Sequence, residues 1–303
     1  MDEAGLRAGG YQGGASVHTQ ALRMLVDGLR AYGGFSPELT ENVTALGRNA
    51  TDLFPMTEAG ELELCYFASS YLASRVPNLA ALDLPFRFTD RAAVAAALDG
   101  PFGQALARDV AARTGFAVLA YWDNGFRHLT NRLHPIAEPA DCRGLTIRTM
   151  DSALHQAIFQ AMGFEPRYID VKDYPAAVRS GVVDAQENPL TNTINFGVPD
   201  THKHLTLSGH LCGVTLVLAN ARWVAGLSSP QRQSLDAAMS HATAAQRGLA
   251  KEEDERCLRA ILAAGVAVLG PDQFDRTAFI TATQQVGREA AARLDPALMA
   301  LLD

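Results

Sequence analysis

The chain has 303 residues, 48% of them hydrophobic, enough for a sizeable core and better suited to two lobes than to one. With 26 basic against 33 acidic residues and a formal charge of −7, it lacks the phosphate-neutralising stripe that a nucleic acid or an anionic membrane surface requires. No stretch approaches the roughly 18 uncharged apolar residues of a spanning helix, which argues against direct membrane insertion. Residues 1–15 lack the basic head and apolar middle of a signal peptide. Read literally, that means cytoplasm; removal of a leader ahead of Met1 is the other reading.

Short apolar runs alternate with helical patterns almost throughout, which predicts an α/β fold. A glycine-rich turn at 10–14 leads into a helix with Ser16 as its N-cap. Ala21, Leu22, Leu25, Val26 and Leu29 follow helical spacing, and Gly33 and Gly34 end it. Strands are expected at 62–68 and 116–122, with helices at about 90–98 and 102–113 between them. A short strand at 145–148, a helix at 152–162, a strand near 167–169, a helix near 173–180 and a strand near 182–185 follow. Two strands, about 204–210 and 213–219, then lead to a long helix. Ser229 is its expected N-cap and Pro230 its first helical residue, where a missing N–H is harmless. No proline intervenes before Gly265. About 34 residues at ~1.5 Å each give roughly 50 Å, longer than one small lobe is wide. Its stripe of Leu235, Met239, Ala242 and Leu249 turns charged at KEEDER (251–256) and apolar again at Leu258 and Ile261. One helix crossing a wetter gap between two bodies accounts for that; a coiled coil is the alternative, with few heptads to sustain it.

Arg148 closes the expected 145–148 strand a few residues before a helix. A guanidinium there, beside free helix N–H groups, offers a planar fork and positive potential to a carboxylate, and a surface salt bridge is the competing reading. Asp184, Gln186, Glu187, Asn188 and Asn192 crowd one strand-to-helix turn, with Pro189 in the first helical turn. Such side chains could face a cleft beyond strand carboxyl ends. A paired-carboxylate role for Asp184 and Glu187 is a weaker reading, because caps and solvated turns look the same. Arg127 follows the apolar 116–122 run, and a second arginine on an opposing wall would complete an anion clamp. His202 and His204 could share one strand face, but no third metal ligand has a recognisable spacing, so no metal is expected. The 9–14 turn matches neither phosphate-loop pattern, and no GxSxG or HExxH occurs. Cys65, Cys142, Cys212 and Cys257 are scattered and read as free thiols, with three connectivities open if all four pair.

Together the segments LELCYFASSYLASRVPNLAALDLPF (62–86), NGFRHLTN (124–131), GLTIRTM (144–150) and AAVRSGVVDAQENPL (176–190), with the long helix after Pro230, resemble the DctP-type solute-binding proteins of tripartite ATP-independent periplasmic (TRAP) transporters. The resemblance implies a type II periplasmic-binding fold of two α/β lobes with a cleft and a bridging helix at about 230–264. Lobe I would hold 1–124 plus 214–253, and lobe II 125–213 plus 254–303. It implies capture of an organic acid, mono- or dicarboxylate, for sodium-coupled uptake through TRAP membrane subunits. It implies no cofactor and no catalysis, and a periplasmic location with the leader removed. By the same resemblance Arg148 is the carboxylate anchor, with Arg127 and Asn188 helping to fix the ligand. Gln12, His18, Tyr66 and Ser69 would line the first lobe's wall, Trp122 would lie near the crossover, and Phe196 and His210 near the cleft. Thr149–Met150 replaces a frequent Val-Pro, and Ala185 stands where Gly is usual; neither removes a charged contact. Ala68 falls where sialic-acid binders carry an acid, which argues against that ligand. Tyr66, Trp122 and Phe196 suggest a partly aromatic pocket and a ligand with an apolar or ring portion.

Overall fold

The computed structural model describes residues 3–302. Nine strands run β1 (Ala4–Gly9), β2 (Phe35–Thr40), β3 (Leu64–Ala68), β4 (Phe116–Asn131), β5 (Thr146–Thr149), β6 (Glu165–Tyr168), β7 (Ala185–Asn188), β8 (His204–Asn220) and β9 (Ala267–Leu269). They form one sheet in the order β2-β1-β3-β8-β4-β7-β5-β6, with β9 on β8. β1 is parallel to β2 and β3, and β5 is parallel to β6 and β7, so each half of the sheet is an α/β unit with crossover helices. Between the halves lies the antiparallel pair β4 and β8, and both strands cross from one half to the other. Leu64–Ala68 pairs with the end of β8, from Ala219 to Thr215, whereas Ala185–Asn188 pairs with the end of β4, from Asn131 to His128.

Two expectations change here. The apolar run at 116–122 continues through NGFRHLTN to Asn131 as a single 16-residue strand, and 204–220 is one strand of 17 residues, not two. Glycines act as bends within the ladder. Register shifts fall at Asp123/Gly125 and Arg127/Leu129, and Gly125 and Gly209 adopt φ of +85° and +52°. β1 and β2 were not expected at all: β1 is short and begins and ends in small residues, and β2 carries Pro37, which an edge strand tolerates.

Most helices form where the spacing puts them. Ser16 caps Val17–Tyr32, its hydroxyl accepting from His18 N at 3.2 Å. The long helix spans Ser229–Ala263, 35 residues, and its N-cap is Ser228, one residue earlier than expected. Leu235, Ala238, Met239 and Ala242 of this helix enter a first hydrophobic cluster with Leu22, Phe67, Trp122 and Leu216, and Cys257 and Ile261 enter a separate one with Leu190 and Leu205. Gln246 lies between these contacts, fully buried, and clasps the backbone of Asp123 at the β4 bulge through Oε1 (2.9 Å) and Nε2 (2.6 Å). A second lobe core gathers Ile147, Phe159, Leu211 and Phe279. The expected boundary assigned all of 254–303 to lobe II, but Leu294 and Leu298 pack into the first cluster, and Asp295 N–H reaches back to Asn78 at 2.9 Å. All four cysteines are free and buried. Among the described residues no helix is long and apolar enough to cross a membrane.

Candidate ligand-binding site

The carboxyl ends of β1 and β3 and the N-terminus of the helix Val17–Tyr32 face the same way in the first half of the molecule, and β5 and β7 end likewise in the second. Ligand sites of α/β sheets lie beyond such ends. The lobes touch there: Gln12 Nε2 donates to Asn192 Oδ1 at 3.5 Å, and Gln12 also accepts from the Ser16 hydroxyl. Beside this contact a crevice of about 430 Å³ opens between the lips, lined by Gln12 and Asn42 from one lobe and Lys172, Asn192, Asn195 and Phe196 from the other.

Two arginines are buried in the second lobe, each 3% exposed, and their surroundings differ. Arg127, on β4, makes a forked pair with Glu187: Nε and Nη2 both reach the carboxylate, Nη2 to Oε1 at 2.7 Å, and Nη2 also meets the Glu187 carbonyl (3.0 Å) and Asn188 Oδ1 (3.2 Å). Glu187 is fully buried, and His210 Nε2 lies 3.4 Å from its Oε2, the oxygen that Arg127 Nε also reaches. Burial alone would raise the Glu187 pKa, but the charge of Arg127, with hydrogen bonds from His210 and Arg127, holds it well below the ordinary carboxylate range. Burial outweighs the opposing pull of Glu187 and lowers the pKa of His210, so it is a neutral imidazole at neutral pH.

Arg148, on β5, has no such partner. Its Nε donates to the Ile169 carbonyl at 3.0 Å, its guanidinium carbon lies 4.7 Å from the Tyr174 ring centroid, and its buried Nη2 has no hydrogen-bond partner among the described residues. The surface salt bridge that competed with the anchor reading does not occur. Tyr174 holds the neighbourhood together: its hydroxyl donates to Gln186 Oε1 at 2.7 Å, and Asn188 Nδ2 also donates to Gln186 at 2.7 Å. Gln186 Nε2 in turn reaches Thr130 Oγ1 at 2.6 Å. Phe196 packs edge-on against Tyr174, with centroids 4.9 Å apart.

The site residues expected from the sequence thus separate into groups. Arg127, Arg148, Asn188, Phe196 and His210 are joined through Glu187, Gln186 and Tyr174. His18, Tyr66 and Trp122 form a stack in the first lobe, with centroid distances of 5.4 Å for His18–Tyr66 and 6.0 Å for Tyr66–Trp122. Their polar atoms are partly engaged inside it: His18 Nε2 with Thr215 Oγ1 (3.0 Å), Tyr66 hydroxyl with Thr19 Oγ1 (3.1 Å) and Trp122 Nε1 with Thr243 Oγ1 on the long helix (3.1 Å). Burial lowers the His18 pKa to about 3. Ser69 is buried at the end of β3, and its hydroxyl has no partner among the described residues. The rings of Tyr66 and Trp122 are therefore largely packed against one another within the core, and the aromatics at the crevice are Tyr11 and Phe196.

The polar cluster after Val183 is not a turn. Gln186, Glu187 and Asn188 lie on the buried strand β7, and Pro189 sits at the N-cap of the helix Leu190–Asn195. Asp184 bonds to Thr146 N and Oγ1 at 3.1 and 2.8 Å while Glu187 faces Arg127, so the two carboxylates do not form an acid/base pair. His202 lies before β8 and its Nδ1 meets Thr130 Oγ1 at 3.1 Å. Among the described residues no group of three or more His, Cys, Asp and Glu could hold a metal ion. Tyr174 was missed as a site organiser; its only sequence signal is its position beside Pro175 at a helix start.

Two α/β halves sharing a crossed strand pair and a bridging helix define a protein of the two-lobed binding-protein class. The chain belongs to the family described as DctP, bacterial extracellular solute-binding protein, family 7, whose model matches residues 45–294. This is a family of solute-binding proteins, not of enzymes. The chain is 32% identical, over 76% of its length and 70% of the relative's, to the 2,3-diketo-L-gulonate-binding periplasmic protein YiaO of Escherichia coli. It is 33% identical to a solute-binding protein of Verminephrobacter eiseniae, covering 77% of this chain and 68% of that one. The TRAP periplasmic solute-binding protein of Bordetella bronchispeptica, whose ligand density is read as pantoate, superposes with a TM-score of 0.91 at 26% identity over 99% of each chain. The corresponding protein of Sulfurospirillum deleyianum, with bound succinate, gives 0.89 at 26% identity over 100% of this chain and 99% of that one.

Proposed function

We propose that this chain is the extracytoplasmic, periplasmic subunit of a TRAP transporter, and that it captures an organic acid by seating its carboxylate on Arg148 and delivers it to membrane subunits for sodium-coupled uptake. One observation carries the reading: Arg148 is a buried cation without a counter-charge among the described residues, its Nη2 unmatched, beside the junction of the lobes. Desolvating a guanidinium is costly unless an anion compensates it, so a bound carboxylate stabilises the closed arrangement more than the open one. Arg127 plays a different part. Glu187 already neutralises it, so it orients Asn188 and leaves Arg148 as the anchor. The relatives' acids (pantoate, succinate and 2,3-diketo-L-gulonate) share the carboxylate this reading requires.

The test is calorimetric titration with a panel of these acids, followed by mass spectrometry of the recovered ligand. An acid that binds should return unchanged and, at about 100 times its dissociation constant, add roughly 2.7 kcal/mol of stability. Arg148→Ala should weaken it by roughly 2–5 kcal/mol. Equal affinity in that variant would remove Arg148 as the anchor.

A further inference from the structure

A second cavity lies away from the crevice, where the chain crosses between the two halves. It has a volume of about 170 Å³ and shares no lining residue with the crevice. Its floor is the bend of the two long strands: Trp122 and Asp123 of β4, beside a register shift, and Cys212, Gly213 and Val214 of β8, where Gly213 pairs with Gly125. Val94, Ala95 and Leu98 of the helix Arg91–Asp99 close one side, and Arg247 and Lys251 of the long helix close another. An occupant therefore touches both crossing strands and the bridging helix at once.

The interior is apolar because the polar atoms of its walls are used elsewhere. The Tyr121 hydroxyl donates to the Gly103 carbonyl at 2.6 Å, and Trp122 Nε1 donates to Thr243 Oγ1 at 3.1 Å. Burial pushes the Cys212 thiol up to about 12, so it stays neutral. Water needs two or more polar partners to settle in such a space, whereas a dry apolar cavity of about 150 Å³ takes up benzene. The charges around the cavity are matched unequally. Arg91 is held by Asp123 and Asp254, and Arg247 forks onto Asp99 at 2.6 and 2.8 Å and also reaches the Tyr121 carbonyl. Asp123, the one carboxylate in the lining, also accepts from Gly125 N–H at 2.7 Å. Lys251 is left over: it is exposed and forms no hydrogen bond or ion pair with a described residue.

We propose that this cavity is a second binding site, for a compact apolar molecule of about one ring that carries a single anionic group. The ring sits against Val94, Ala95, Leu98 and Trp122, and the anion stands beside Lys251. Nothing in this site depends on Arg148, so its test is made in a chain that lacks that arginine and succeeds or fails apart from the carboxylate anchor.

Calorimetry on the full chain carrying Arg148→Met decides it with three probes. These are benzenesulfonate, benzenesulfonamide, which keeps the ring without the charge, and methanesulfonate, which keeps the charge without the ring. Benzenesulfonate should bind several-fold more tightly than either of the others. Ala95→Leu, which puts a larger side chain into the cavity, should weaken it by about tenfold or more. Lys251→Gln, at an exposed position, should weaken benzenesulfonate by about two- to fivefold and leave benzenesulfonamide unchanged. No binding of benzenesulfonate at about 10 mM overturns the site. So does an affinity that survives Ala95→Leu, because the probe is then held elsewhere. Equal affinity in Lys251→Gln, or equal affinity for the uncharged sulfonamide, overturns the anionic preference.

Discussion

Arg148 lies with its guanidinium carbon 4.7 Å from the centre of the Tyr174 ring, and this contact, with one hydrogen bond to the Ile169 carbonyl, is its compensation within the protein. A cation–π contact is worth about 0.5–2 kcal/mol, well short of the several kcal/mol needed to desolvate an ion. The side chain is therefore a cost to the ligand-free closed form. Arg148→Met, which keeps the aliphatic volume and removes the charge, should abolish acid binding while leaving the melting temperature without ligand unchanged or higher. A melting temperature several degrees lower by scanning calorimetry would mean that the arginine is structural.

Arg127 answers to the opposite test. Its charge is matched by Glu187 on the next strand, so removing the carboxylate strands a buried guanidinium. Glu187→Met should destabilise the protein by roughly 3–5 kcal/mol in urea unfolding, and adding Arg127→Met should recover much of that loss. A single variant as stable as the parent would deny the pair its role. A double variant that merely sums two losses would do the same.

The sequence made one half of this arrangement readable. The expected strand at 145–148 ends in a residue type suited to carboxylates, and the structure buries Arg148 at 3% exposure. The long helix was legible because proline is absent from its interior and its apolar residues recur at helical spacing. What stayed hidden is pairing between distant positions. Glu187 lies 60 residues from Arg127, and no local pattern says that the second arginine would be neutralised from within. Trp122 gives its indole N–H to Thr243, 121 residues away, so a candidate lining residue proves to be a strut of the long helix. Periodicity also fails where strands bend: glycines in NGFRHLTN and in 204–220 look like turn residues, yet they carry bulges in strands that continue.

The buried histidines set the behaviour in acid. Burial lowers the pKa of His18 to about 3 and that of His202 to about 4, from an ordinary 6.5, and lowers that of His210 too. In the unfolded chain they protonate as the pH falls through about 6.5, while in the folded chain they stay neutral. Their contribution is therefore complete above that pH and is lost as the pH drops towards the folded values, by up to about 1.4 kcal/mol per pH unit for each. Asp254 works the other way. Burial, together with Asp123 beside the same Arg91, pushes its carboxyl up to about 6, so the folded state takes up its proton first and gains stability as the pH falls through that value. Asp254→Asn should thus steepen the acid loss between roughly pH 6.5 and 4 in urea unfolding series. A shallower loss would contradict this charge arrangement.

The last prediction concerns the crossing strands themselves. Gly125 has φ +85° at the β4 register shift, and a Cβ there would lie 3.2 Å from Pro189 Cβ and 3.4 Å from Arg91 Nη2. Pro189 caps the helix that carries Asn192, and Arg91 joins Asp123 to Asp254 on the long helix. Gly125→Ala should therefore cost about 1–3 kcal/mol in strained backbone and also weaken ligand binding, because the bend that seats one lobe on the other is displaced. Gly248 supplies the contrast. It lies inside the long helix, and nothing stands within 4 Å of a Cβ placed there, so Gly248→Ala should stabilise by about 0.5–1 kcal/mol through helix propensity alone, with affinity unchanged. Urea unfolding and calorimetry on both variants separate the cases. If Gly125→Ala loses stability and keeps its affinity, the bend supports the fold without governing closure. If Gly248→Ala changes affinity, the long helix is sensitive to more than its own packing.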